Sequence, residues 1–589
     1  MKNKCTITLA LTALLAACAQ QPVQAPAQPA ETVPPAAAAK PPVVKPRVVA
    51  QPPVSNPVLP KLELSQPILF RLLLADIALQ RGQINVAVQS YLELARETRD
   101  PRIAQRATEA AWNGRFLGAA LEAAGIWLAA DPESQQARQV VAGLMINQSR
   151  LADAQPHLEK SIAADKENAG QAFMQLNPLL GRHPDKAAVL QLMQNLAKPY
   201  PKLPEAHFSI AQAAVAAGQL PLALRESREA LNLRPDWEQA ALFVGGLLQQ
   251  SGGNGEALGF FADFLKRYPA AMDVRLNYAR LLVSDTQYPQ ARAEFQKLLR
   301  EFPDNPDVSL AVGLLSLQLG DLDDARKLLQ HALDNDYKDP DAVRFYLGQA
   351  TEEAKLFDEA LKWYGGVAGG EQFVPSRARY AGVLVKQGRM AEARGYLQAA
   401  GRNPQERIQF TLVEAQLLRD ANDVRGAFDM LGEAVAANPN SPELLYDYAM
   451  LAEKLGRFDI LEKSLRKVIQ IKPDHAHAYN ALGYTFADRN ERLQESYTLI
   501  EQALKLAPED PFILDSMGWV LYRMGQNDTA LTFLRRAHEL RADAEIAAHY
   551  GEVLWVAGRQ DEARKVWSVA LKQSPTNELL LATVKKFSP

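Results

Sequence analysis

The sequence predicts an all-α protein: a right-handed superhelical solenoid of helix pairs, preceded by an export signal and a proline-rich tether. Three observations predict it. A small residue, replaced once by Leu461, recurs every 33–35 residues from Ala223 to Ala563, a second small residue precedes each by about twelve positions, and a proline frequently follows by about twelve. Of the 589 residues, 48% are apolar and 23% charged, so most of the chain can form a core and stay soluble. Lys+Arg number 65 against Asp+Glu 68, a balance that argues against a broad nucleic-acid-binding surface. The two cysteines, Cys5 and Cys18, both lie near the start. The rest of the chain therefore has no disulfide framework, thiolate metal site or thiol nucleophile. No run of 18 apolar residues occurs, which excludes a membrane-spanning helix.

The N-terminus reads first as an address. Lys2 and Lys4 precede an apolar stretch at 7–17, ITLALTALLAA, too short to span a bilayer and right for a signal peptide. It ends in Leu15-Ala16-Ala17-Cys18, which resembles the bacterial lipobox, where cleavage occurs before a lipidated cysteine. The resemblance implies that Cys18 carries the lipid. Several acyl chains anchor a protein stably where one does not. Ala19 and Gln20 follow, with no Asp to retain the chain at the inner membrane, so the expected location is the periplasmic side of the outer membrane. Loss of residues 1–17 removes two lysines and moves the formal charge from −3 to −5. Residues 19–60 hold 12 of the 37 prolines. They lack the apolar runs a core needs, and at ~3.1 Å per residue extended polyproline could reach ~120 Å. A spacer is expected there.

The body follows. Its marker series is Ala223, Ala257, Ala291, Ala325, Ala360, Ala393, Ala427, Leu461, Ser496, Ala530 and Ala563. The companion series is Ala211, Gly245, Ala279, Gly313, Gly348, Ala381, Ala415, Ala449, Gly483, Gly518 and Gly551. Small residues let two antiparallel helices approach where they cross, and larger apolar residues at helical spacing fill around them. Proline then stops each unit, as at Pro235, Pro269, Pro303, Pro439, Pro473, Pro508 and Pro575. A 34-residue helix–turn–helix of this kind resembles the tetratricopeptide repeat. Ala87, Ala120, Ala154 and Ala188 extend the marker series upstream with weaker turns, and prolines at 178–204 predict an irregularity. The expected organisation is a signal at 1–17, a lipidated cysteine and tether at 18–60, degenerate helical repeats at 61–203, eleven regular repeats at 204–575 and a C-terminal cap at 576–589.

Catalytic chemistry is sparse. None of the eight histidines shows HExxH spacing, and Gly252-Gly253-Asn254-Gly255 lacks the GK[ST] of a phosphate loop. His475-x-His477 is either a two-histidine metal site or a pair of solvated helix-start residues, the latter better matching its place. No cofactor, metal or catalytic residue is expected. The better candidates lie on first helices, three before, one after and four after the small residue, where side chains are expected to face inward. In the C-terminal copies these are Tyr446, Asn480, Tyr484, Asp515, Trp519, Tyr522, Glu552 and Trp555. Tyr and Trp are efficient protein-binding anchors, and Asn can pair with a bound backbone. The alternative at each position is packing against the neighbouring repeat.

Signal, lipobox, tether and repeats together resemble the tetratricopeptide-repeat lipoproteins of the Gram-negative outer membrane, in particular the Pseudomonas type that partners a carboxyl-terminal-processing protease. That resemblance implies a non-catalytic adaptor. Its partners would be a periplasmic serine protease and the cell-wall hydrolases delivered to it. A scaffold for envelope assembly or polysaccharide export is the second expectation, and an enzyme in its own right the third.

Overall fold

The computed structural model describes residues 59–587. The expected signal, Cys18 and the tether up to residue 58 lie outside the described residues. Thirty-one helices fill the rest, with no strand among the described residues. They run as fifteen consecutive pairs, from Gln66–Gln80 with Ile84–Thr98 to Ala544–Val556 with Gln560–Gln573, followed by a single helix, Glu578–Phe587. Contacts group the chain into two compact units, the first ending at Asn335 and the second beginning at Asp336. Within each unit the architecture is an all-α solenoid of paired helices.

The two helices of a pair differ for a physical reason. A second helix is covered on one side only. In Phe458–Ile471 the buried residues are Leu461, Ser464, Leu465 and Val468, spaced i, i+3, i+4, i+7. A first helix lies between its own partner and both neighbouring repeats. In Pro511–Arg523 every residue from Ile513 to Leu521 is buried. First helices often open on an Asx or Ser cap followed by proline. Asp510, Asn305 and Ser441 each accept a backbone N–H of the first turn, with Pro511, Pro306 and Pro442 next in sequence. The cap satisfies a free N–H, and proline at the first helical position gives up a donor that has no partner there.

The turn inside most pairs repeats one conformation. Five residues before the marker the backbone φ is positive, at Gly320, Gly388, Gly456 and Gly525 among others. Thr286, Lys355 and Asn422 occupy the same place at φ 59°, 61° and 63°. Repeat geometry thus overrides local preference where the glycine is missing.

At the crossing point the small residues meet the side chain four after the marker. A Cβ built on Gly518 would fall 2.5 Å from Leu534 Cγ and 3.1 Å from the Ala530 carbonyl oxygen. Three large partners face glycine, Phe261 opposite Gly245, Tyr364 opposite Gly348 and Trp567 opposite Gly551, whereas Gly313 and Gly518 face Leu329 and Leu534, and Phe295 fills the same slot in the pair of Ala279. Where the small residue is alanine, the corresponding side chain is leucine in three successive pairs, Ala381 with Leu397, Ala415 with Leu431 and Ala449 with Leu465, all buried.

The register fails once. Ala87, Ala120 and Ala154 are fully buried, but Ala188 is only partly so. The helix Ala169–Leu180 contains Pro178, and it packs on Pro204–Ala216 rather than on its sequence partner Lys186–Ala197. Proline removes the N–H that residue 174 would have accepted and crowds the preceding turn. It does not by itself prevent pairing, since Leu151–Ala164 contains Pro156 and still packs on Gln135–Asn147.

Candidate functional site

The expected residues lie on four first helices of the second unit: Pro442–Lys454, Ala476–Asp488, Pro511–Arg523 and Ala544–Val556. Because the small residue of each helix faces its own partner, the residues around it on the other side meet the next first helix. The structure brings most of the candidates together as a seam between repeats.

Its centre is a residue that the inward-slot rule misses. His549 stacks on Trp519 with ring centroids 4.2 Å apart and planes 25° apart. Its Nδ1 lies 2.8 Å from Asp515 Oδ2, and both side chains are buried. Its Nε2 is 3.5 Å from the Tyr484 hydroxyl. Asp515 and His549 are 34 residues apart, one repeat length. Gly518 and Gly551 are separated by 33, so the histidine arrives one position later, two before its glycine. A histidine one period after an aspartate was the available signal.

Burial is the strongest single influence on His549 and opposes its charge. The Asp515 carboxylate, by charge and hydrogen bond, with Asp488 and Glu552 behind it, outweighs burial and raises the imidazole above its ordinary value. Burial likewise raises the Tyr484 hydroxyl strongly, and Asp488, Asp515, Glu545 and Glu453 push the same way.

The other side of the seam is held by Glu552. Its Oε1 accepts from the Tyr522 hydroxyl at 3.2 Å and from Lys586 Nζ at 3.1 Å. Trp555 stacks on Trp567, centroids 5.7 Å apart, and Phe587 of the last helix lies 6.2 Å from Trp567 and 6.3 Å from Trp555. The final helix therefore covers the end of the array with an aromatic side chain and a cation.

This changes the expected aromatic stripe. Trp519 is 5% exposed, Asp515 6% and Glu552 6%, so these three are inter-repeat contacts, not free anchors. Ala547 and Ala548, fully buried, flank His549 on the helix that lays it over the indole. Tyr484, Tyr522 and Trp555 are half-buried and keep part of their surface open. Tyr446 sits over His475, centroids 5.1 Å apart. His475 Nδ1 in turn accepts the Ala478 N–H, so this histidine serves as a helix cap. Three buried polar atoms of the seam have no hydrogen-bond partner: Asn480 Oδ1, Asp515 Oδ1 and Trp519 Nε1.

Further along the same unit, first helices are joined by charge. Glu352 Oε2 accepts from Tyr364, and Glu352 Oε1 from Lys386 of the next first helix, each at 2.7 Å. Arg419 lies 3.8 Å from Asp447, whose carboxyl is raised by burial against the pull of that arginine. Glu453 Oε1 accepts from Thr485 at 3.3 Å and is also raised, chiefly by burial. Among the described residues no group of three or more His, Cys, Asp or Glu is placed to hold a metal ion. This is the chemistry of interlocked repeats with partly open aromatic edges, suited to holding a protein surface.

Comparison with known proteins agrees with that architecture. Tetratricopeptide-repeat models match residues 248–311, 282–347, 412–459 and 516–578. A TPR repeat-containing protein of Pseudomonas aeruginosa is 34% identical over 500 residues, covering 83% of this chain and 82% of that protein. The chain belongs to the tetratricopeptide-repeat family. Cellulose synthase operon protein C of Pseudomonas fluorescens is 25% identical over 364 residues, 52% of this tetratricopeptide-repeat chain but 28% of that longer protein. Among solved structures, a thermophilic TPR protein of Thermus thermophilus is 23% identical, covering 30% of this chain and 97% of its own, with a TM-score of 0.28. Yeast Tom70 is 14% identical over 72% of this chain and 95% of its own, with a TM-score of 0.34. In tetratricopeptide-repeat terms, the seam joins the first helices of the last four repeats, and the fold serves protein–protein interaction.

Proposed function

We propose that this chain is a non-catalytic adaptor, lipid-anchored through Cys18 on the periplasmic side of the outer membrane. It binds a carboxyl-terminal-processing serine protease and presents cell-wall hydrolases to it. The observation that carries the reading is the seam. Tyr484, Tyr522 and Trp555 keep open aromatic surface on three successive first helices. Binding energy concentrates in a few Tyr, Trp and Arg side chains at such places. The 34% identical Pseudomonas aeruginosa relative and the lipobox-like Leu15–Cys18 support the setting. Holding protease and substrate on one tethered array raises their mutual concentration to the millimolar range that short flexible links give.

The test is calorimetric titration of the purified protein with a protease of this type and, separately, with a peptidoglycan hydrolase. Tyr522→Ala should weaken one of the two at least tenfold with helicity unchanged. Unchanged affinity for both would move recognition off the seam, and no binding to either would reject the adaptor reading. The similarity to cellulose synthase operon protein C favours one alternative, a scaffold for polysaccharide export. Capture of synthase or secretin subunits from membranes, in place of a protease, would select it.

A further inference from the structure

The two ends of the array are finished differently. At the C-terminal end the helix Glu578–Phe587 lays Phe587 against Trp555 and Trp567 and gives Lys586 to Glu552. At the other end the first helix, Gln66–Gln80, turns Ala75 and Ala78 inward and leaves large apolar side chains outside. Leu69 is 41% exposed, Phe70 66%, Leu73 50%, Leu74 38% and Ile77 46%. Positions i, i+1, i+4, i+5 and i+8 form one stripe on the face opposite the buried alanines. Terminal repeats ordinarily carry a polar outer face, because the end of a stack otherwise offers the surface that each internal repeat buries.

We propose that a second copy of this chain covers the stripe, in a two-fold interface that packs the two Gln66–Gln80 helices antiparallel. Three observations select that occupant. The stripe exposes on the order of 500 Å² of apolar area, at the upper end of what a monomer carries and most of the ~800 Å² that each partner of a stable interface buries. Leu69, Leu73 and Ile77 form an i, i+4, i+8 ridge, with Phe70 and Leu74 beside it, the surface that packs into the grooves of an identical helix. The charges of this helix are also already used: Arg71 pairs with Glu97 at 2.7 Å, and Asp76 with Arg106 at 3.1 Å. The helix thus offers no spare basic face for anionic lipid headgroups, which interfacial helices normally carry. In a two-fold arrangement Leu73, at the centre of the stripe, meets its own copy.

The test uses the full chain in its native membranes. Leu73→Cys, oxidised in place, should give a covalent species of twice the 64.9 kDa chain mass on a non-reducing gel, above any background from the parent chain. Lys338→Cys, far along the sequence from the stripe, should give none. Adding Phe70→Glu should reduce the Leu73→Cys dimer at least tenfold, while circular dichroism shows unchanged helicity. Sedimentation of the unlipidated Cys18→Ala chain should then give a dimer, and with Phe70→Glu added a monomer. No dimer band from Leu73→Cys in a folded chain overturns the proposal. So does a monomeric Cys18→Ala chain. If that monomer floats with phosphatidylglycerol vesicles, the stripe is a lipid contact, and if it does not, the chain's own upstream segment covers it.

Discussion

His549 and Asp515 are joined across a repeat boundary, Nδ1 to Oδ2 at 2.8 Å, with the Trp519 indole stacked over the imidazole. Breaking a buried pair by removing one partner strands the other, and such losses run to ~3–5 kcal/mol. His549→Phe should therefore destabilise the second unit by about that amount although phenyl can still stack on Trp519. Adding Asp515→Leu should recover much of the loss. Chemical denaturation of the two variants measures both effects, and an equal loss in single and double variants would show that the charge pairing is unimportant.

The same pair sets a pH dependence. An unfolded histidine titrates near ~6.5, and His549 in the fold holds its proton to higher pH. Its contribution is therefore complete below about pH 6.5 and is lost as pH climbs through the raised folded value. Hydrogen exchange in Pro511–Arg523 and Ala544–Val556 should quicken as pH rises from about 6.5 to that value and level off above it, after correction for the intrinsic rate. His549→Gln should flatten the trend. A wild-type trend of opposite sign would mean that the imidazole is held neutral.

Gly518 tests the crossing points. Leu534 is fully buried, and a Cβ at Gly518 falls 2.5 Å from its Cγ. Gly518→Leu should cost at least the ~1–3 kcal/mol typical of overpacking, concentrated in the pair it belongs to and its nearest neighbours. Exchange protection unchanged in Pro511–Arg523 and Asn527–Leu540 would remove Gly518 from the contact.

The turns offer a gain. Thr286 is β-branched yet sits at φ 59°, where Gly320 and Gly525 serve in other repeats. Thr286→Gly relieves the strain while adding freedom to the unfolded chain, so the expected net gain is modest, ~0.5–1 kcal/mol. A loss of thermal stability would show that the threonine side chain contributes more than its backbone strain removes.

Anchoring is tested at Cys18. Cys18→Ala should abolish lipid labelling and either block processing or release a soluble chain, since each buried CH₂ contributes ~0.8 kcal/mol to retention. A variant that still fractionates with the outer membrane and still takes up labelled lipid would rule out the lipobox.

Periodicity made the helices legible because each crossing needs a small residue at a fixed place. Gly518, Ala530 and their equivalents could be read without any knowledge of contacts. The candidate seam was only partly legible. The slots around Gly518 and Gly551 point toward the next repeat, but slot position does not say whether a neighbour closes over them. Trp519 looked like an anchor, and it is covered because His549 of the next first helix stacks on its indole. Ala188 failed for a different reason. Spacing alone kept it in the series, while the helix before it, Ala169–Leu180, packs on Pro204–Ala216 instead.

Gly245, Gly348 and Gly551 admit Phe261, Tyr364 and Trp567, which gives these three pairs a private fit. Modules that look interchangeable by sequence are therefore not interchangeable parts. A recombinant that moved the helix Gln560–Gln573, with Trp567, onto the partner of Ala449 would drive an indole into a methyl group, whereas the reverse exchange would leave a hole beside Gly551. Gene conversion or unequal crossing-over inside this array would be tolerated at the boundaries between whole hairpins and punished within them. New lengths of the array should therefore arise by gain or loss of complete hairpins.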